Sequence, residues 1–259
     1  MRNISNKVTA KFLAIMVMSL PVGSMAQTAA TGPNVIYIEQ VGNSNTVTIE
    51  QVGGTNSVGG TNSSAPGVWD PAGSANYGTI TGSSNTVTAT QTGNANVGQY
   101  NIRGNNNVYT NTVTGNTNKT KLDIGDANTT ANLRNTITET VVGDTNTLVT
   151  KVVGNDITST TTITGNSNEV TSNLLSTNGV SSITIAGGNN KLDIEQRDSA
   201  GAVGHNLVQN IVGDYNSIVT QQQGFNDTTV NIQTTGSHNT VTVRTSSAAI
   251  SNPVTAVAR

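Results

Sequence analysis

Glycine returns along this chain every eleven residues, and that interval restricts the fold more than any other feature. Gly82, Gly93, Gly104 and Gly115 are eleven apart, as are Gly143, Gly154 and Gly165, and again Gly213 and Gly224. An asparagine usually follows three residues later. The pairs are Gly42 and Asn45, Gly82 and Asn85, Gly93 and Asn96, Gly104 and Asn107, Gly115 and Asn118, and Gly125 and Asn128. They continue with Gly143 and Asn146, Gly165 and Asn168, Gly187 and Asn190, Gly213 and Asn216, and Gly236 and Asn239. Two units depart: Ile157 follows Gly154, and Asp227 follows Gly224. A fixed short period is the signature of a repeat architecture.

Between the turns the pattern has period two, which marks half-buried strands. Val47, Ile49 and Gln51 share one side of a strand with Thr46, Thr48 and Glu50 on the other. The same phase places Val87, Ala89 and Gln91 inward, then Leu148, Thr150 and Val152, then Val170, Ser172 and Leu174. Leu192, Ile194 and Gln196, and Ile218, Thr220 and Gln222, repeat it. In the tetrad, Gly supplies a positive φ and Asn bonds the turn backbone.

One unit cannot fold alone. It buries two or three apolar side chains at about 1.5–3 kcal/mol each, against about 1–2 kcal/mol per residue for ordering the backbone. The units must therefore stack. Seven strand residues and four turn residues reverse the chain at each tetrad, so two units of eleven make a 22-residue rung. The sequence predicts an all-β, two-sheet β-solenoid of about 17 short strands with parallel, in-register rungs ~4.8 Å apart. Inward Asn side chains, and Gln40, Gln51, Gln91, Gln196 and Gln222, should bond their equivalents one rung away.

The solenoid should span 34–245, with insertions at about 54–75, 129–134 and 197–204 and a tail at 246–259. Trp69 falls in the first insertion and Pro253 in the tail. Glu139 falls on the inward phase, so either the register shifts near 129–139 or a partner receives it. Upstream, Arg2, Lys7 and Lys11 precede an apolar run from Phe12 to Val22 and the small-x-small site Ser24-Met25-Ala26. This pattern predicts a secretory signal peptide over 1–26, a short segment 27–33, and a secreted, extracellular or cell-surface protein with no membrane span in the mature chain.

Composition narrows the function. The chain has 259 residues and no cysteine, so it has neither disulfides nor thiol chemistry. Charged residues are 10% and the net charge is −2, which disfavours nucleic acid as a partner. The two histidines, His205 and His238, have no nucleophile or acid at meaningful spacing. Asp126, Asp144, Asp156 and Asp214 recur in turns, but the period is eleven and the calcium-binding nonapeptide run is missing. No motif for a phosphate, zinc or dinucleotide is present. The sequence predicts no enzyme, metal or cofactor.

Residues 40–51 carry a more specific pattern: Gln40, Gly42, Asn45 and Gln51. Gln91, Gly93 and Asn96, and Gln222 and Gly224, repeat parts of it. This resembles the curlin repeats of curli, the extracellular amyloid fibres. Most units place Ile or Val at the Gln position (Ile80, Ile102, Val113, Val141, Val152, Ile163, Ile185, Ile211), and Asn34 stands where the family has Ser. The resemblance implies a β-solenoid secreted across the outer membrane, nucleated self-assembly with export and nucleation factors as partners, adhesion and biofilm matrix. It points to a subunit or accessory component of a fibre or surface coat.

Alternate strands should share a sheet, which collects threonines on one outer face: Thr46 and Thr48; Thr86, Thr88 and Thr90; Thr110 and Thr112; Thr136, Thr138 and Thr140; Thr158, Thr160 and Thr162; and Thr184. Glu39, Lys119, Lys121, Asp123, Lys151, Glu169, Lys191, Asp193, Glu195 and Arg244 should face outward from the other sheet. Threonine is a good solvent-facing strand residue in its own right. The functional alternative is a flat face for lateral packing, or a soluble surface-binding module for a polysaccharide or ice.

Overall fold

The computed structural model describes residues 8–9, 32–61, 76–125, 133–175, 177–198, 204–224, 229–244 and 254–258. They form a two-sheet β-solenoid with no helix among them. The chain crosses between sheets at nearly every turn. The first sheet has nine strands, from Thr46–Val52 through Thr86–Thr92, Val108–Thr114, Thr136–Val142, Thr158–Thr164, Val180–Ala186, Asn206–Val212 and Thr229–Thr235 to Val254–Ala258. The second sheet has thirteen, with Val97–Arg103, Lys119–Ile124, Thr147–Val153, Glu169–Leu175, Lys191–Asp198, Ser217–Gly224 and Thr240–Arg244 as its regular run. Rungs pair parallel and in register, as in Val108↔Thr86 and Val108↔Thr136.

Short pieces raise the strand count above seventeen. Ile38 separates Val35–Tyr37 from Glu39–Val41. Val8–Thr9, otherwise surrounded by residues outside the description, pairs antiparallel with Glu39–Val41. Other short pieces mark the first insertion, which opens later than the predicted 54–75. Thr55 and Asn56 form a regular turn, and Ser57 and Val58 pair with Val97 and Gly98. The chain leaves after Val58 and returns at Thr79, which pairs with Asn101 in the same strand. One rung strand is thus assembled from two segments. Gly59 and Gly78, at φ 75° and 115°, make the exit and re-entry. Trp69 lies outside the described residues.

The C-terminal tail also differs from the expectation. Val254–Ala258 continues the first sheet, pairing Val254↔Val230 through Ala258↔Thr234. In the sequence, Pro253 directly precedes this strand. Insertions do not disturb the register: they change the spacing between equivalent residues while the strands stay aligned.

Inward side chains form the core, led by Leu122, Ile124, Ile137, Leu148, Ile163 and Leu174, all at most 1% exposed. Near Glu139 the core becomes polar. The register does not shift; Glu139 points inward at 1% exposure and finds partners. Tyr109 donates to Glu139 Oε2 at 2.6 Å and Asn111 Nδ2 donates to the same oxygen at 3.2 Å. From the opposite sheet, Tyr100 donates to Asn111 Oδ1 at 3.1 Å, and its ring meets that of Tyr109 edge-on at 4.9 Å. Burial pushes Glu139 up to about 7, against the pull of hydrogen bonds from Tyr109 and Asn111. Burial also raises both tyrosines.

The folded pKa of Glu139 therefore lies above the unfolded one. Between pH 4.5 and about 7 the native state holds a proton that the unfolded chain has released, so stability falls as pH rises through this window and is level above it. Glu139→Gln should remove that slope and stabilise the chain by about 3 kcal/mol at pH 8. Urea midpoints at pH 4.5, 6 and 8 measure both effects; equal slopes in the two proteins would contradict them.

Candidate functional site

The turns hold the strands in place. Gly42, Gly82, Gly93, Gly104, Gly115, Gly143, Gly165, Gly213 and Gly236 all have positive φ, from 98° to 135°. The sequence reading missed a second left-handed residue. The third turn position sits at φ 50–63° in Ser44, Ser84, Ala95, Thr117, Arg134, Tyr215, His238 and seven others. A left-handed non-glycine costs roughly 1–2 kcal/mol. The signal was available, since Val and Ile crowd the strands but never occupy this position.

Glycine is required for space as well as for φ. A Cβ on Gly143 would lie 2.0 Å from the carbonyl oxygen of Gly165 in the next rung. The Asn that closes each turn bridges the same gap. Asn146 Nδ2 donates to Gly165 O at 2.8 Å, and Asn146 Oδ1 accepts from Asn168 N at 3.0 Å. On one side of the stack this ladder runs unbroken through Asn34, Asn56, Asn96, Asn118, Asn146, Asn168, Asn190, Asn216 and Asn239. It survives sequence separations of 22, 40, 28, 26 and 23 residues. On the other side it links Asn45, Asn85, Asn107 and Asn135. It stops at Ile157, which donates its N–H to Asn135 Oδ1 at 2.9 Å but has no amide to pass on.

The second turn position carries another ladder of opposite sense. Asn94 N donates forward to Asn116 Oδ1, Asn116 N to Asp144 Oδ1 and Asp144 N to Asn166 Oδ1, at 3.0, 2.6 and 2.7 Å. Asp144 and Asp214 are ladder acceptors, Asp214 for the N–H of Gly188. Asp156 pairs with Arg134 at 2.6 Å. Asp126 lies outside the described residues. His238 stacks on the exposed Tyr215 at 5.2 Å, whereas His205 is buried.

The inward glutamines behave differently from the asparagines. Gln51 Nε2 reaches Gln91 Oε1 at 2.9 Å, a true rung-to-rung bond. Gln91, Gln196 and Gln222 donate to the main-chain carbonyls of Ser57, Val180 and Asn206 at 3.2–3.3 Å. The longer side chain extends past its own column to the opposite sheet, where an Asn would be too short. Gln40 lies half-buried in register with Ile80.

All the predicted threonines lie on the outer face of the first sheet. The pairing aligns Thr48, Thr88, Thr110, Thr138, Thr160 and Ser182 in one column. Thr90, Thr112, Thr140, Thr162 and Thr184 form the next, with Glu50 at its head. Thr46, Thr86, Thr136 and Thr158 share an outer column with Val108 and Val180. These side chains are half-buried or exposed. The second sheet carries the charges, with Lys191 3.5 Å from Glu169 and Lys121 3.5 Å from Asp123. Part of that face is covered: Val97, Gln99, Asn101 and Lys121 point outward by phase yet are buried. The strand Asn76–Tyr77 packs against this region.

The geometry defines a β-solenoid with one charge-poor hydroxyl face and one charged face. Comparison of the chain with protein-family models, curated proteins and solved structures finds no match in any of the three.

Asn146→Ala should cost about 3 kcal/mol, because it strands buried partners in Gly165 O and Asn168 N–H. Asn166→Ala, whose side chain serves an exposed turn, should cost about 1 kcal/mol. Paired urea titrations test the ranking, and equal losses would contradict it.

Proposed function

We propose that the chain is an exported structural protein, a subunit or accessory component of a curli-like extracellular fibre or surface coat. It assembles by templated strand addition at the ends of the solenoid. The observation that supports this most directly is the directional asparagine ladder. Nearly every member grips the glycine carbonyl of the following rung, as Asn216 Nδ2 does with Gly236 O at 3.1 Å, whereas Asn107 donates to Arg103 O. Asn239, the last described member, donates to Thr235 O at 3.2 Å. At the opposite end, Thr46–Val52 has a sheet neighbour on one side only among the described residues. A strand edge of this kind offers a row of N–H and C=O groups to another chain. The curlin-like residues Gln40, Gly42, Asn45 and Gln51 lie in this end region, and the signal-like features of 1–26 support export.

The chain refolded from denaturant should form Thioflavin T-positive fibres visible by electron microscopy, and sonicated fibres should abolish the lag. Monodisperse, dye-negative particles at high concentration would overturn the assembly reading. Export has its own check: N-terminal sequencing of protein recovered outside the cells should begin at Gln27. Uncleaved chain retained inside would count against it.

A further inference from the structure

The outer face of the first sheet is free of charge over seven successive strands, from Thr86–Thr92 to Thr229–Thr235. Exposed apolar side chains gather there as well. Among the described residues, the large exposed hydrophobics include Val52, Val108, Val142, Val180, Val208 and Val212, all on this face, whereas only Tyr37, Val41 and Tyr215 lie elsewhere. Threonine methyls and valines alternate with hydroxyls, and the last two strands add the amides of Asn206, Asn210, Asn231 and Gln233. Seven rungs at ~4.8 Å and seven residues at ~3.3 Å give a plate of about 34 by 23 Å, or about 770 Å². That is close to the ~800 Å² each partner contributes to a standard protein interface.

The occupant must match the rung spacing over the whole plate, or its contacts drift out of step within a few strands. It must also bring no charge, since nothing on the plate would pair with one. The charged face of the second sheet fails the second condition. The threonine face of another copy meets both, because it has the same spacing and the same lack of charge. We propose that two copies of this chain pair through their threonine faces, with their rungs level.

A two-fold axis along the stack then sets Thr110 against Thr112 of the second copy, Thr138 against Thr140 and Thr160 against Thr162. Glu50 meets Thr48 at the margin, so the two carboxylates do not face each other. If the stacks run in opposite senses about the central rung, Thr160 meets Thr160. This contact uses a different surface from strand addition at the ends, and it applies to single stacks and to fibres alike.

The chain contains no cysteine, so single cysteines report the contact cleanly. Thr160→Cys and Thr162→Cys proteins are mixed under mild oxidation, with Val149→Cys, outward on the second sheet, as the control. Disulfide-linked dimers, mixed for parallel stacks or Thr160→Cys with itself for opposed ones, should form at least about tenfold faster than in the control. Adding Thr88→Lys, Thr110→Lys and Thr138→Lys should abolish this advantage while circular dichroism stays unchanged. Cross-linking no faster than the control, in both soluble and fibre fractions, would overturn the proposal. So would retention on an insoluble polysaccharide or on ice that the lysine variant loses, without cross-links. Dye-positive growth of the Val149→Cys protein is scored separately, so a failure of end-on assembly is distinguished from a failure of face pairing.

Discussion

Everything in this structure depends on how closely one turn can lie on the next. The carbonyl of each turn glycine occupies the space where a Cβ on the previous rung's glycine would be. That closeness lets Asn side chains reach the following rung with bonds of 2.7–3.1 Å. Those bonds satisfy buried turn groups that would otherwise be orphaned. Once the turns are locked, the strands between them have one register available, since a slip would turn every inward side chain outward. The left-handed third residue is tolerated because the rungs on either side hold it in place.

Rung-to-rung contact also explains why insertions do so little damage. Each rung touches only its neighbours, as in other solenoids, so extra chain that leaves and returns without blocking the next rung changes no contact. The first insertion shows this in its strongest form: a strand is interrupted in its middle, yet Ser57 and Thr79 occupy the same rung beneath Val97 and Asn101. The interior is polar around Glu139, as it also is where Gln209 meets Thr220. Tyr100 from one sheet and Tyr109, Asn111 and Glu139 from the other tie the two layers together through hydrogen bonds rather than packing alone.

Much of this was legible in the sequence. The eleven-residue period gave the rung, and the two-residue period gave the inward and outward faces, including the inward placement of Glu139. Alternation of strands between sheets was enough to gather Thr88, Thr110, Thr138 and Thr160 on one face. The sequence was silent where long-range geometry decides. The partners of Glu139 lie 30 and 28 residues away, and only the stacking of rungs brings them to it. The break at Val58 was hidden because Gly53 resembled the start of an insertion, although Asn56 completes a regular turn there. The final strand was obscured by Pro253, which reads as a terminator and stands instead at its threshold. The expected rung-to-rung glutamine bond holds for Gln51 and Gln91, but Gln91, Gln196 and Gln222 also reach main-chain carbonyls, because a longer side chain has a choice of acceptors that an asparagine lacks.

The two ladders in each turn run in opposite senses, and this has an electrical consequence. Hydrogen bonds aligned head to tail along an axis add their dipoles, which gives an α-helix its charged ends. In this stack the main-chain N–H of each closing asparagine points toward the preceding rung and its side-chain amide reaches the following one, while the second-position residues point their main-chain N–H toward the following rung. The two contributions oppose each other. The axial field therefore grows less with each added rung than it would if every bond in the turn pointed one way.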